Sequence, residues 1–136
     1  MKRVTGIGGI FFKTKDPAKI REWYSTHLGI KSSEYGGTFE WKKENGESGY
    51  TVWSPFKKES KYFGSDEQQH MFNYRVENLE ELLKVLEQEG VTIVGKMEEY
   101  DYGKFGWILD PEGNKIELWE PIDKAYGTMG EANKSS

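Results

Sequence analysis

Phe105-Gly-Trp-Ile-Leu-Asp-Pro-Glu-Gly-Asn-Lys-Ile-Glu-Leu-Trp119 is the stretch on which the fold turns. Two strand-like runs, Gly106 to Leu109 and Lys115 to Trp119, flank Asp110-Pro111-Glu112-Gly113-Asn114, whose Pro and Gly suit a tight turn. The spacing predicts an antiparallel hairpin. Side chains alternate along a strand, so Ile116 and Leu118 point to a covered side and Glu117 and Trp119 to the opposite one.

Upstream of that hairpin, Met71 to Val76 reads as a strand and Asn78 as the cap of a helix with an apolar stripe at Leu79, Leu82, Leu83 and Leu86, closed by Gly90-Val91. The same order occurs earlier in the chain. Ile7 to Lys13 is strand-like, and Asp16-Pro17 opens a helix carrying Ile20, Trp23, Tyr24 and Leu28 before Gly29. Thr38 to Lys43 and Tyr50 to Ser54 then flank Asn45-Gly46, a hairpin signal, and Pro55 ends the segment. Asp16 matches Asn78, Gly29 matches Gly90, and Trp53-Ser54-Pro55 matches Trp119-Glu120-Pro121. The chain is therefore an internal duplication, with module one at 4–55, a polar linker at 56–69 and module two at 70–121. These form one domain over 1–121, followed by a small, polar, mobile tail at 122–136. The fold class expected is α+β: two βαβββ modules whose mixed sheet curves around a cleft.

Composition narrows the function. The 136 residues carry 19 Lys and Arg against 23 Asp and Glu, a net charge of −4, which offers no basic footprint for nucleic acid. With no cysteine, disulfides, thiolate metal sites and cysteine nucleophiles are excluded. No apolar run is long enough to span a membrane, and Met1-Lys-Arg-Val-Thr-Gly6 lacks the apolar stretch of a signal peptide. A soluble cytoplasmic protein with no nucleic-acid and no membrane partner is expected. Aromatics are 15% of residues against 35% for all hydrophobics, so rings must fill much of the core or line something else.

Parity assigns those rings to faces. Counting equally from the two helix caps equates Gly9 with Met71 and Phe11 with Asn73; Phe72, Tyr74 and Val76 then lie under the helix, leaving Met71, Asn73 and Arg75 on the open face. The repeat alignment puts Tyr50 and Val52 under the first helix and Thr51 and Trp53 opposite. The expected open face carries a ring wall of Phe11, Trp53 and Trp119, the polar groups Asn73, Arg75 and Thr51, and one carboxylate, Glu117. An apolar wall with a few convergent polar groups is the usual form of a small-molecule site.

The duplication, the Asp110-Pro-Glu-Gly-Asn-Lys-Ile-Glu-Leu118 element and the first helix ending Trp23-Tyr-Ser-Thr-His-Leu-Gly29 resemble the vicinal oxygen chelate (VOC) superfamily, which includes glyoxalase I, bleomycin-resistance proteins and extradiol dioxygenases. The resemblance covers roughly residues 4–121. It implies a homodimer and a glyoxalase-like fold. In metal-dependent members the ligands occupy equivalent places in the opening and closing strands of both modules, which here are Gly9, Thr51, Met71 and Glu117. Glycine has no side chain, methionine is soft and one hydroxyl adds little, so no metal or other cofactor is expected.

The resulting expectation is a metal-independent VOC protein of the glyoxalase and bleomycin-resistance kind. It binds a small organic ligand through Phe11, Trp53, Met71, Asn73, Arg75 and Trp119, with Glu117 as the candidate catalytic group. The alternative is a lyase or isomerase acting on a vicinal-oxygen substrate, with Glu117 as base or sole protein metal ligand. A third reading is an interaction module whose ring-rich face packs on another chain. Arg75 either pairs with Glu117 or clamps an anionic ligand group. His27 and His70 are read as surface residues, Glu98-Glu99-Tyr100-Asp101 as a solvated loop, Val94–Lys104 as a specificity loop, and Asn133-Lys134-Ser135 as a meaningless glycosylation match. Gly6-Ile-Gly8-Gly9 lacks the strand-to-helix setting of a dinucleotide loop.

Overall fold

A computed structural model describes residues 2–127 and 131–134. Its strands are β1 (Val4–Thr14), β2 (Gly37–Lys42), β3 (Ser48–Lys57), β4 (His70–Val76), β5 (Ile93–Tyr100), β6 (Gly103–Leu109), β7 (Lys115–Pro121) and β8 (Asn133–Lys134). The helices are α1 (Pro17–Leu28), α2 (Leu79–Gln88) and α3 (Asp123–Tyr126). All strands join one sheet in the order β5-β6-β7-β4-β1-β3-β2-β8, the α+β glyoxalase-like architecture expected from the duplication. Among the described residues no helix is long and apolar enough to cross a membrane.

Local chemistry explains the punctuation. The Asp16 side chain accepts from the Lys19 amide at 3.1 Å and the Asn78 side chain from the Glu81 amide at 3.2 Å, satisfying donors at both helix starts. Gly29 closes α1 in the left-handed region at φ 69°, where the amides of Gly29 and Ile30 reach back to Ser25 and Tyr24. In the β6–β7 turn, Asp110 Oδ1 accepts from the amides of Glu112 and Asn114, both at 2.9 Å. The helices differ in how they pack. Leu79 and Leu82 of α2 are buried with Val76 and Leu118, whereas α1 buries no residue fully and leaves Trp23 and Leu28 of its expected stripe exposed.

The two modules meet at β1 and β4, antiparallel, with Gly9 opposite Asn73 and Phe11 opposite Met71. Exchanging Gly9 with Met71 and Phe11 with Asn73 leaves this pairing unchanged, so the register agrees with the equivalence counted from the helix caps. The closing strands do not follow the alignment. Asn73 pairs with Glu117, but Phe11 pairs with Ser54, so Ser54 and not Thr51 stands where Glu117 does. The two Trp-x-Pro strings sit at different registers, and Pro55 lies inside β3, opposite Phe12, rather than ending it.

Three segments read as irregular are ordered elements. Residues 93–100 form the edge strand β5, so the acidic run Glu98 to Tyr100 is an exposed sheet edge and Asp101 its turn. The segment 56–69 begins inside β3 and then folds over the sheet, as described below. Beyond Pro121 the expected mobile tail supplies α3 and β8 among its described residues. Module one has two strands after its helix, β2 and β3, and β8 takes the edge place that β5 holds in module two. The Asn133 side chain secures it, accepting from the Lys31 amide at 2.7 Å and donating to the carbonyls of Lys31 and Thr38 at 2.9 Å. Ser135, the last residue of the glycosylation match, lies outside the described residues.

Candidate functional site

Glu117 is the buried carboxylate of the concave face. The β7 register sets it between Asn73 on β4 and Trp107 on β6, and its side chain is only 3% exposed. Asn73 Nδ2 donates to its Oε1 at 2.5 Å, and Trp107 Nε1 donates to its Oε2 at 3.0 Å. The Tyr62 hydroxyl also donates to Oε2. Burial pushes the Glu117 carboxyl above the ordinary carboxylate range, against the pull of these three donors and of the nearby Lys115 ammonium. Burial, with the adjacent carboxylate, also drives Tyr62 upward and keeps it a neutral phenol. The arrangement can bind or release a proton at Glu117, but both carboxylate oxygens already have protein donors.

Tyr62 and Phe63 are residues that strand parity could not find. They form an adjacent ring pair inside an otherwise polar stretch, which is the sequence signal they carry. Phe63 is 0% exposed and packs with Phe11 and Met71. Tyr62 stacks on Phe56, with centroids 5.7 Å apart and planes at 9°, and presents its ring to Trp107 at 89°. Gln68 holds the return of this loop: its Nε2 donates to the carbonyls of His70 and Lys115 at 2.9 Å, and its Oε1 accepts from the Lys115 amide at 2.8 Å. Lys115 Nζ in turn donates to the Tyr62 carbonyl at 2.8 Å and lies 5.0 Å from the Tyr62 ring centroid. Phe11 and Met71, expected in an open wall, are therefore covered by the chain itself.

The other end of the face is closed by α3. Arg75 does not pair with Glu117; its two terminal nitrogens bind the Asp123 carboxylate at 2.9 and 2.6 Å, and Nη1 also donates to the Tyr50 carbonyl at 2.9 Å. Its guanidinium lies over Trp41 and Trp119, at 4.9 and 5.4 Å from their centroids. Tyr126 packs on Trp119 and stacks on Tyr50, which the alignment had placed under the helix. Burial raises the Tyr126 phenol, so it too is neutral.

Trp53 is a further correction. Its ring meets Phe12 at 5.4 Å and Tyr24 of α1 at 5.1 Å, so it lies on the helix-covered side, while Val52 packs with Phe11, Phe63 and Met71. The cause is the register slip in β3: alternation makes a three-residue shift reverse every face. Thr51 is engaged in the seam between strands, donating to the Ile7 carbonyl at 2.8 Å and accepting from Trp41 Nε1 at 3.0 Å. His27 and His70 are exposed, as the sequence indicated.

Beside α3 an open cleft of about 660 Å³ remains, with Tyr35, Val52, Tyr102 and Tyr126 as its larger walls and Lys31, Ser32 and Glu131 among its polar ones. None of the six expected ligand-binding residues lines it. Trp119 stands behind Tyr126, Asn73 beside Glu117, and Arg75 is held by Asp123.

The residues do not fit a divalent metal ion. A Cβ at Gly8 would lie 2.0 Å from Asn73 Oδ1, and one at Gly9 would lie 2.7 Å from the Phe11 ring, so the opening strand of module one has no room for a ligating side chain. Met71 is packed under Phe63, Ser54 offers one hydroxyl, and the Glu117 oxygens are taken by three donors. No group of three or more His, Cys, Asp or Glu with metal-binding geometry occurs among the described residues.

Comparison with known proteins agrees with this architecture. The description Glyoxalase/Bleomycin resistance protein/Dioxygenase superfamily matches residues 6–118. No curated protein matches the sequence. Among solved structures, methylmalonyl-CoA epimerase from Mycobacterium tuberculosis is 19% identical, with 94% of this chain and 95% of that one covered and a TM-score of 0.63. The Mn(II)-bound glyoxalase from Novosphingobium aromaticivorans is 12% identical, with 100% of this chain covering 43% of that one at a TM-score of 0.59. A protein described as NAD-dependent benzaldehyde dehydrogenase from Legionella pneumophila is 17% identical, with 83% and 97% covered and a TM-score of 0.54. At these identities the likeness is one of fold.

Proposed function

Since this chain belongs to the glyoxalase, bleomycin resistance protein and dioxygenase superfamily, we propose that it binds a small organic ligand on its concave face without a metal ion held by protein side chains. The observation that carries the reading is the open cleft beside Tyr102, Tyr126 and Val52, which joins ring faces to a polar margin of Lys31, Ser32 and Glu131. Ring faces give a planar ligand contact area at low entropic cost, while Lys31 and Glu131 at the margin are paired with each other at 2.6 Å. The donor set around Glu117 supports a metal-free site, because each carboxylate oxygen is already engaged by protein donors.

The planar probe 8-anilinonaphthalene-1-sulfonate tests this. Energy transfer from tryptophan to the bound dye should weaken about tenfold in affinity in Tyr102→Ala, and should be unmoved by Trp53→Phe or by chelator. Binding that is insensitive to Tyr102→Ala, or that chelator abolishes, defeats the reading. A proton-transferring lyase or isomerase is favoured by one feature, the burial that raises the Glu117 carboxyl above the ordinary carboxylate range. Under that reading Glu117→Gln removes turnover while leaving dye binding intact. The proposal includes a homodimer: Ile10 and Phe72, paired across β1 and β4, are both exposed apolar residues, and sedimentation of the wild type against Phe72→Glu reads the association state.

A further inference from the structure

Tyr62 is held as a ligand is held. Its ring lies parallel to Phe56, its edge contact is Trp107, a lysine ammonium sits 5.0 Å from its centroid, and its hydroxyl is hydrogen-bonded to Glu117. Trp107 Nε1 also reaches the same hydroxyl at 3.2 Å. Yet Tyr62 is 37% exposed, whereas Glu117, Asn73, Phe11 and Met71 around it are buried. The loop does not need that ring for its anchorage. Phe63 fills the apolar hole over Phe11 and Met71, and Gln68 clamps the loop to β4 and β7. A buried carboxylate among rings carries a desolvation cost that an apolar residue of the same size would not, and its donors make this space selective for a hydrogen-bonding group. A second polar group lies next to it: Asn73 is 2% exposed and its Oδ1 has no hydrogen-bond partner among the described residues.

We infer that the space between Phe56, Trp107 and Glu117 is a binding site for a hydroxyl-bearing aromatic ring, and that the Tyr62 side chain is its internal occupant, displaced when such a ligand enters. The inference rests on the concave-face reading above and narrows its ligand to a phenol. The ring stacks on Phe56, the hydroxyl donates to Glu117 and accepts from Trp107, and the Lys115 ammonium lies against the ring face. An aromatic ring without the hydroxyl leaves Glu117 Oε2 with Trp107 Nε1 alone as donor, so the site discriminates by that one group.

The probes are p-cresol, which is the tyrosine side chain itself, and toluene, the same ring without the hydroxyl. Tyr62→Gly should bind p-cresol about tenfold more tightly than it binds toluene and about tenfold more tightly than the wild type binds p-cresol. Adding Glu117→Gln should reduce the preference. Equal binding of the two probes, or binding of neither, overturns the inference. Should Tyr62→Gly not fold, Tyr62→Phe keeps the ring and loses only the donor; p-cresol should then raise amide exchange across residues 58–66 while toluene does not. No change with p-cresol overturns displacement. Retained dye binding at the Tyr102 cleft in the same samples assigns such a failure to the phenol site alone; lost dye binding assigns it to the concave-face reading.

Discussion

Arg75 and Asp123 form a two-pronged ion pair, at 2.9 and 2.6 Å, that joins the middle of the sheet to the helix following the last strand of module two. The arginine side chain is 4% exposed and the aspartate 11%, and the parallel N–H···O geometry supports both charges. Removing the carboxylate leaves a buried guanidinium with the Tyr50 carbonyl as its remaining acceptor. Asp123→Ala should therefore cost about 3 kcal/mol in urea unfolding, and Asp123→Asn appreciably less. A loss below about 0.5 kcal/mol would show that the pair does not hold α3 in place.

Glu117 makes stability depend on pH in a stated direction. Its folded-state pKa lies above the unfolded value, so its stabilising contribution is complete below the ordinary glutamate range and is lost as pH climbs through the folded value. The stability difference between wild type and Glu117→Gln should fall with rising pH across that window, measured from about pH 4 to 9. A difference that stays level over the range would contradict a raised carboxyl.

The two helices should answer truncation unequally. Leu79 is fully buried between α2 and the sheet, while Leu28 in the last turn of α1 is 60% exposed. Leu79→Ala should cost about 3 kcal/mol and Leu28→Ala under about 0.5 kcal/mol. Comparable losses would mean that α1 packs on something absent from the isolated chain.

Gly8 faces the Asn73 and Trp119 side chains with no space for a methyl group, at 2.0 and 3.0 Å from an ideal Cβ. Gly8→Ala should destabilise by about 1–3 kcal/mol and perturb the hydrogen bond from Asn73 to Glu117, visible as a changed pH slope relative to wild type. An alanine variant as stable as wild type would reopen that position to a side chain.

Much of module two was legible because its signals are local and redundant. The Asp110 turn, the Asn78 cap and the Leu stripe agree with one another, and alternation then places Glu117 and Trp119 correctly. Module one is punctuated as clearly at Asp16, Pro17 and Gly29, and its misreading lies in the closing strand. Its closing strand was aligned on Trp53-Ser54-Pro55, a string shared in composition but not in register, and an odd slip sends Trp53 to the wrong face. The partners of Arg75 and Glu117 were hidden for another reason. Asp123 and Tyr62 reach them from segments without periodicity, where nothing in the spacing reports what a side chain meets.

By itself the sequence determined the α+β class, the helix caps and the equivalence of the two opening strands, since each follows from propensities and periods confined to a few neighbouring residues. Only the tertiary structure decided what covers the concave face. The loop bearing Tyr62 and Phe63 folds back over it because Phe63 fills the apolar hole above Phe11 and Met71, and the segment bearing Asp123 and Tyr126 does so because buried Arg75 must find a counter-charge; packing in three dimensions supplies both from distant parts of the chain.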